Sequence, residues 1–155
     1  MSIGDFHFSI SLKKKDELIQ ALIKELELRK EELENQSIET IYFGGGTPSL
    51  LTNNELELLI DAVYKNYQVI ESPEITLEAN PDDLDENRII KLSKTQINRL
   101  SIGIQSFFED DLKSMNRAHS SDEAKECLEE ATKHFDNITI DLIYGIPNMS
   151  LEKWN

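Results

Sequence analysis

Thr40-Ile41-Tyr42-Phe43-Gly44-Gly45-Gly46-Thr47-Pro48-Ser49 begins as a β-branched and aromatic run and stops on three glycines. Such a run reads as a β-strand, and the glycines as the turn that ends it. Three further runs repeat the pattern. Ile75–Glu78 is closed by Asn80-Pro81, Arg99–Gln105 reads Arg-Leu-Ser-Ile-Gly-Ile-Gln, and Ile138–Tyr144 stops at Gly145-Ile146-Pro147. Helical patterns lie between them. Leu18, Ile19, Leu22, Ile23, Leu26 and Leu33 recur at helical spacing across Leu12–Gln36, with Lys and Glu on the other face. Thr52 and Glu55 form a capping box before Leu56, Leu59, Ile60 and Val63. Asp85 caps a helix with Ile89, Ile90 and Leu92 inward, Phe107–Met115 is a short helix, and Ser120 with Glu123 opens a helix through Lys133. Met1–Ser11 is irregular, with Phe6, Phe8 and Ile10 alternating. Strand and helix therefore alternate, with strand ends near 44, 78, 105 and 142. The fold class is α/β, a parallel sheet built of βα units.

Composition sets the outer limits. The chain has 155 residues, 16 Lys+Arg against 30 Asp+Glu, and a net charge of -14. The length fits one domain, and no linker or low-complexity stretch divides it. The acidic balance argues against nucleic acid or an anionic membrane as partner, since both reward clustered Lys and Arg. No apolar run is long enough to span a bilayer, and no signal-like segment opens the sequence, so a cytoplasmic location is expected. A single cysteine, Cys127, excludes a disulfide framework and any cysteine-rich metal site made by these residues alone.

In parallel α/β sheets, ligands sit at the carboxyl ends of the strands. Here each end carries polar or glycine residues. Gly44, Gly45, Gly46 and Thr47 allow close backbone approach to a ligand, although an ordinary tight turn has the same composition. The loop is neither a Walker A sequence nor a dinucleotide fingerprint. Glu78 ends an apolar strand, where a carboxylate needs a cation or several donors; a structural salt bridge would also serve. Gln105 ends the third strand and Arg117 follows twelve residues on, against the alternative of a helix cap and a surface side chain. Asp141 interrupts Ile138, Ile140, Leu142 and Ile143, so it faces either a polar cavity or a buried partner. Together these groups offer an ammonium acceptor, a carboxylate-reading guanidinium, two hydroxyl readers and a bare backbone edge. That set suits a zwitterionic amino acid joined to a ribose. His7, His119 and His134 have no metal-ligand spacing; His119 either lines the Arg117 site or makes a loop hydrogen bond. Cys127 reads as a small core residue.

Five stretches then occur in an order shared by one family. They are Ile41–Ser49, Leu77–Pro81, Arg99–Ser106, Asn116-Arg117-Ala118-His119 and Asp141–Pro147. The sequence resembles the radical S-adenosylmethionine proteins related to oxygen-independent coproporphyrinogen III oxidase, a group that includes heme chaperones long known under the oxidase name. The resemblance covers the chain from about Asp5 to Asn155 and implies a partial TIM-type barrel, residues 1–155, truncated at both ends. It implies that Gly44, Gly45, Gly46 and Thr47 hold the methionine part of S-adenosylmethionine. Glu78 then faces its amino group, Arg117 its carboxylate, and Gln105 and Asp141 its ribose.

The family's cluster motif, Cys-x3-Cys-x2-Cys, is missing, and Asp5-Phe6 matches the residues that follow its last cysteine in the chaperone-like branch. The expectation is an internal fragment of a longer protein, with Met1–Gly4 foreign to it. The parent would carry S-adenosylmethionine and a 4Fe–4S cluster and handle heme or coproporphyrinogen III. The chaperone-like parent is preferred, with the oxidase proper, an oxidoreductase decarboxylating propionates through a deoxyadenosyl radical, as the alternative. Without thiolates this chain is expected to be inactive, to bind neither cofactor tightly, and to self-associate through its open sheet edges.

Overall fold

The computed structural model describes residues 12–34, 36–147 and 149–154. The irregular start with Phe6 and Phe8, His7 and the Asp5-Phe6 match lie outside these residues. The helices are α1 (Leu12–Leu28), α2 (Asn53–Asn66), α3 (Glu86–Leu92), α4 (Glu109–Ser114), α5 (Ser121–Ala131) and α6 (Leu151–Trp154). The strands are β1 (Ile38–Phe43), β2 (Val69–Ala79), β3 (Arg99–Gln105) and β4 (Ile138–Leu142), in one sheet of order β1-β2-β3-β4. β2 pairs parallel to β3 with Glu78 opposite Ser101, and β3 pairs parallel to β4 with Leu100 opposite Ile138. The expected α/β class with a parallel sheet is what the chain forms. No described helix is long and apolar enough to cross a membrane.

The chain divides into two compact units, Met1–Ile41 with Leu51–Pro73, and Tyr42–Leu50 with Glu74–Asn155. In the first, α1 packs on α2. The Thr52 hydroxyl accepts from Glu55 N–H while Glu55 Oε2 accepts from Thr52 N–H, which completes the expected capping box. Leu56, Leu59 and Ile60 are buried, and from α1 Ile19 is buried with them. The rest of the α1 stripe is less covered than its periodicity suggests: Leu18, Leu22, Leu28 and Leu33 are exposed. The expected single helix to Gln36 instead ends at Leu28. It continues as a 3-10 turn, Lys30–Leu33, that closes on left-handed Glu34 (φ 47°). At the break the Arg29 guanidinium donates to Glu25 and Glu32, exposed pairs that do not bury apolar surface to extend the helix.

In the second unit β3 is the central element. Leu100, Ile102 and Ile104 are fully buried, each contributing about 1.5–3 kcal/mol of apolar burial. Ile75 and Leu77 of β2 and Ile89 and Leu92 of α3 are also buried, and Asp85 caps α3 by accepting from Arg88 N–H. At the strand starts Arg99 donates to Glu74 Oε1 (3.2 Å), Thr76 Oγ1 (3.3 Å) and Thr139 Oγ1 (2.6 Å), tying β2, β3 and β4 together. The capping box of α5 forms as expected: Ser120 Oγ accepts from Glu123 N–H, and Glu123 accepts from Ser120 N–H. β4 stops at Leu142, two residues before the expected end.

The α5 cap gives a direct test. Ser120→Ala should lower the unfolding free energy by about 1 kcal/mol, and Ser120→Gly by only a few tenths, in urea titrations. No loss in Ser120→Ala would mean that the cap contributes nothing.

Candidate functional site

The site lies wholly in the second unit, at the carboxyl ends of its strands. β1 ends in Tyr42 and Phe43, and the chain then turns through Gly45 (φ 74°) and Gly46 (φ 67°). The Glu78 carboxylate, near the end of β2, accepts from the Tyr42 phenol (2.7 Å, Oε1) and from Gly45 N–H (3.0 Å, Oε2). A Cβ on Gly44 would stand 2.6 Å from Tyr42 Cε1 and 3.1 Å from Glu78 Cδ. Only glycine lets the loop close over these two side chains. Among the described residues Glu78 pairs with no Lys or Arg, so the salt bridge left open by the sequence is not what holds it.

Arg117 forms the second part. Its Nη2 donates to Asn80 Oδ1 (2.7 Å) and to the Gly103 carbonyl (3.2 Å). It is half-buried, and among the described residues no Asp or Glu pairs with it. A Cβ on Gly103 would stand 2.7 Å from Gln105 Nε2, so this glycine makes room for the Gln105 amide, while Arg117 Nη2, at 3.7 Å, would remain at ordinary contact distance. Gln105 itself has φ 66°, and Asn116, just before Arg117, has φ 53°. Left-handed backbone at a non-glycine residue costs about 1–2 kcal/mol, and such residues cluster where a chain holds a side chain for use. Ile143 N–H donates to the Gln105 carbonyl and fixes that end of β3.

A hydrogen-bonded chain runs from Arg117 back to the glycine loop. Arg117 donates to Asn80, Asn80 Nδ2 donates to Asp83 Oδ2 (3.4 Å), and Ser49 Oγ donates to the same oxygen (2.7 Å). The backbone N–H of Leu50 donates to the Thr47 carbonyl, which closes the loop locally. Asp141 on β4 is exposed and adds negative potential at the Tyr42 phenol. The Glu78 hydrogen bond, followed by desolvation, raises the Tyr42 pKa above its usual value.

Sequence reasoning found Gly44, Gly45, Glu78, Gln105 and Arg117, and these fall into the two linked clusters just described. Gly46 and Thr47 complete the loop, while Asp141 joins through its charge alone. It missed Tyr42, Asn80, Asp83 and Gly103. Their signal was their position: Tyr42 two residues before Gly44, Asn80 two after Glu78, Gly103 two before Gln105, one strand period each. His119 takes the structural role of its two alternatives. It is buried, its Nε2 donates to the Ile104 carbonyl (3.1 Å), and its Nδ1 has no hydrogen bond despite lying 3.4 Å from Asp82 Oδ1. His134 meets Glu130 at the surface.

The sequence matches the radical SAM superfamily over residues 8–155. The chain belongs to that family. It is 38% identical over 135 residues to the heme chaperone HemW of Buchnera aphidicola from Acyrthosiphon pisum, covering 87% of this chain and 36% of the relative. Against HemW of Escherichia coli the identity is 35% over 139 residues, covering 89% and 37%. The radical SAM coproporphyrinogen III oxidase HemN of Escherichia coli superposes with a TM-score of 0.77 at 25% identity, covering 93% of this chain and 34% of that one. The chain thus spans little more than a third of the relatives it matches. The radical SAM family carries S-adenosylmethionine and an iron–sulfur cluster, and the two groups fit these residues differently. Glu78 and Arg117, each without an opposite charge among the described residues, and the Gly44–Gly46 turn fit the amino-acid end of S-adenosylmethionine. Three thiolates do not fit. The sequence holds one cysteine, and Cys127 is buried in α5 with its thiol pushed up to about 11, mainly by desolvation.

Cys127 makes that assignment measurable. With its thiol pushed up to about 11 by burial, Cys127 holds far less thiolate at pH 8 in the native protein than in the unfolded chain, so a disulfide reagent should modify native protein slowly and unfolded protein quickly. Because the folded value is the higher, its contribution to stability is intact below pH 9 and is lost as pH rises toward 11. Equal reactivity in native and unfolded protein would place the thiol at the surface.

Proposed function

We propose that this chain is the S-adenosylmethionine-binding part of a radical SAM protein of heme metabolism, the parent being a heme chaperone of the HemW type. One observation carries the binding reading: among the described residues, the Glu78 carboxylate has no Lys or Arg partner and the Arg117 guanidinium, reaching Gly103 of the neighbouring strand from its loop, has no Asp or Glu partner, and each is held by neutral donors or acceptors. Half-buried charges left in this state are costly, and a zwitterionic ligand compensates both. In this reading Glu78 accepts from the ligand's ammonium group. Arg117 donates to its carboxylate, in an orientation set by Asn80 and the Gly103 carbonyl. Gly44, Gly45, Gly46 and Thr47 lie along the methionine backbone, and Gln105 and Asp141 take the ribose hydroxyls. Bound beside a cluster, S-adenosylmethionine supplies a deoxyadenosyl radical; the 155 residues here orient the ligand and supply no cluster thiolates.

The heme chaperone reading of the parent is supported by relatives 34–38% identical that carry that name, against 25% for the coproporphyrinogen III oxidase. Heme, rather than coproporphyrinogen III, is then the parent's cargo. The protein is cytoplasmic in this reading, and 1–155 form part of one barrel domain. β4 ends the strand order and exposes Ile140, Leu142 and Ile143, so a second copy of this chain pairs there.

Calorimetric titration with S-adenosylmethionine tests the site. Glu78→Gln should weaken binding by about 10- to 100-fold, the range for a hydrogen bond to a charged group. No change in affinity would remove Glu78 from the site. For the parent, the full-length protein reconstituted with iron and sulfide should bind heme tightly and leave coproporphyrinogen III unchanged under anaerobic assay; turnover would assign it to the oxidases. Light scattering tests the pairing: a dimer or larger species is expected, and a sharp monomer at high concentration would refute it.

A further inference from the structure

We propose that Tyr42 is a positioning residue of this site: its phenol fixes the Glu78 carboxylate and offers its own oxygen as a second acceptor to a ligand's ammonium group. The inference rests on the S-adenosylmethionine reading and adds to it a residue that the strand pattern alone marks only as an aromatic β-former.

Tyr42 donates its only hydroxyl proton to Glu78 Oε1 at 2.7 Å. Gly45 N–H takes the other oxygen at 3.0 Å. The two donors come from one continuous stretch, three residues apart, and grip the carboxylate by both oxygens. An ionised carboxylate accepts about four hydrogen bonds, so two positions remain for a ligand. Once its proton is committed to Glu78, the phenol oxygen still accepts: the Ser101 hydroxyl meets it on one side, and its remaining acceptor capacity lies beside the carboxylate oxygen. An ammonium group with three donors can therefore meet Glu78 and Tyr42 together.

The ring is built into the loop. A Cβ on Gly44 would come within 2.6 Å of Tyr42 Cε1 and 3.0 Å of Cδ1, so the residue that permits the glycine turn also permits the ring. Packing is a poor account of Tyr42, because the residue is 55% exposed. The hydrogen bond to Glu78, then desolvation, raise the phenol pKa, the charges of Glu78 and Asp141 add to the rise, and the Ser101 hydroxyl opposes it. A carboxylate held in this way loses less side-chain freedom when ligand arrives, which is how preorganisation raises affinity.

The test compares two ligands on the 155-residue chain: S-adenosylmethionine, and 5′-methylthioadenosine, which keeps the adenosine and thioether but has no amino acid. Tyr42→Phe should weaken S-adenosylmethionine roughly 10-fold and leave methylthioadenosine unchanged, by calorimetry. Equal weakening of both ligands would make Tyr42 a general structural residue and overturn the proposal. An unchanged S-adenosylmethionine affinity in Tyr42→Phe would overturn it too, while leaving the S-adenosylmethionine reading intact. Failure of the wild-type chain to prefer S-adenosylmethionine over methylthioadenosine would instead remove that reading, and the ammonium role of Tyr42 with it. Ultraviolet titration of the phenol is the second measurement, independent of ligand and of whether Tyr42→Phe folds. The wild-type phenol should titrate above the ordinary tyrosine range and Glu78→Gln should bring it down; a phenol indifferent to Glu78→Gln would overturn the proposal.

Discussion

The Glu78 carboxylate sits at the end of a strand whose neighbours Ile75, Leu77 and Ala79 are buried. A charge in that position must be satisfied, or the strand end is lost to water. The protein answers with the loop that follows β1: the Tyr42 phenol and the Gly45 N–H both reach Glu78. That demand explains the glycines better than a general need for flexibility does. Gly44 is small because the ring and the carboxylate already fill the space a side chain would take. The conformation of the loop, and the absence of side chains along it, follow from where Glu78 lies.

Two arginines of the second unit show how differently the same group can be used. Arg99, at the start of β3, is surrounded by Glu74, Thr76 and Thr139 and has its charge met by a carboxylate. Its partners belong to adjacent strands, so it works as a polar tie at the N-terminal side of the sheet, the end associated with stability in such folds. Arg117 instead is held by an amide oxygen and a backbone carbonyl, both neutral. These fix its direction without neutralising it. What separates the two guanidiniums is the charge of what holds them, and the proposed ligand-reading role of Arg117 rests on that difference.

Much of the fold was legible because its signals were local. Strand β3 matched its expected bounds, since Leu100, Ile102 and Ile104 alternate with the small Ser101 and Gly103 between polar Arg99 and Gln105. Both capping boxes formed as written, because a cap depends on residues three apart. The missed features depend on contacts. Residues Val69–Glu74 extend β2 upstream of the expected strand through a largely exposed stretch containing Pro73, where no alternation of buried residues marks a strand. The Leu33 end of the first helical pattern kept its spacing but not its burial, and the helix broke at Arg29. In the site, Glu78 and Arg117 stood out as charges in apolar or loop contexts. Tyr42 and Asn80 did not, because an aromatic in a strand and an asparagine before proline each have a sufficient local explanation. Their second role appears only when β1 is laid beside β2 and the Arg117 loop is brought to Asn80.

That second role has a consequence for how the site is organised. The hydrogen bonds Arg117 to Asn80, Asn80 to Asp83 and Ser49 to Asp83 join Arg117 to the glycine loop, while Tyr42 and Gly45 join the same loop to Glu78. The two opposite charges are therefore not held independently: each is tied to the Tyr42–Ser49 segment, one at its beginning and the other at its end. In the proposed reading, that segment contacts both ends of the pair that meets the zwitterion, while β2 carries Glu78 and the Gly103 carbonyl of β3 holds Arg117 as well. The spacing of two charges from distant parts of the sequence is thus set jointly by the strand ends and by one short loop.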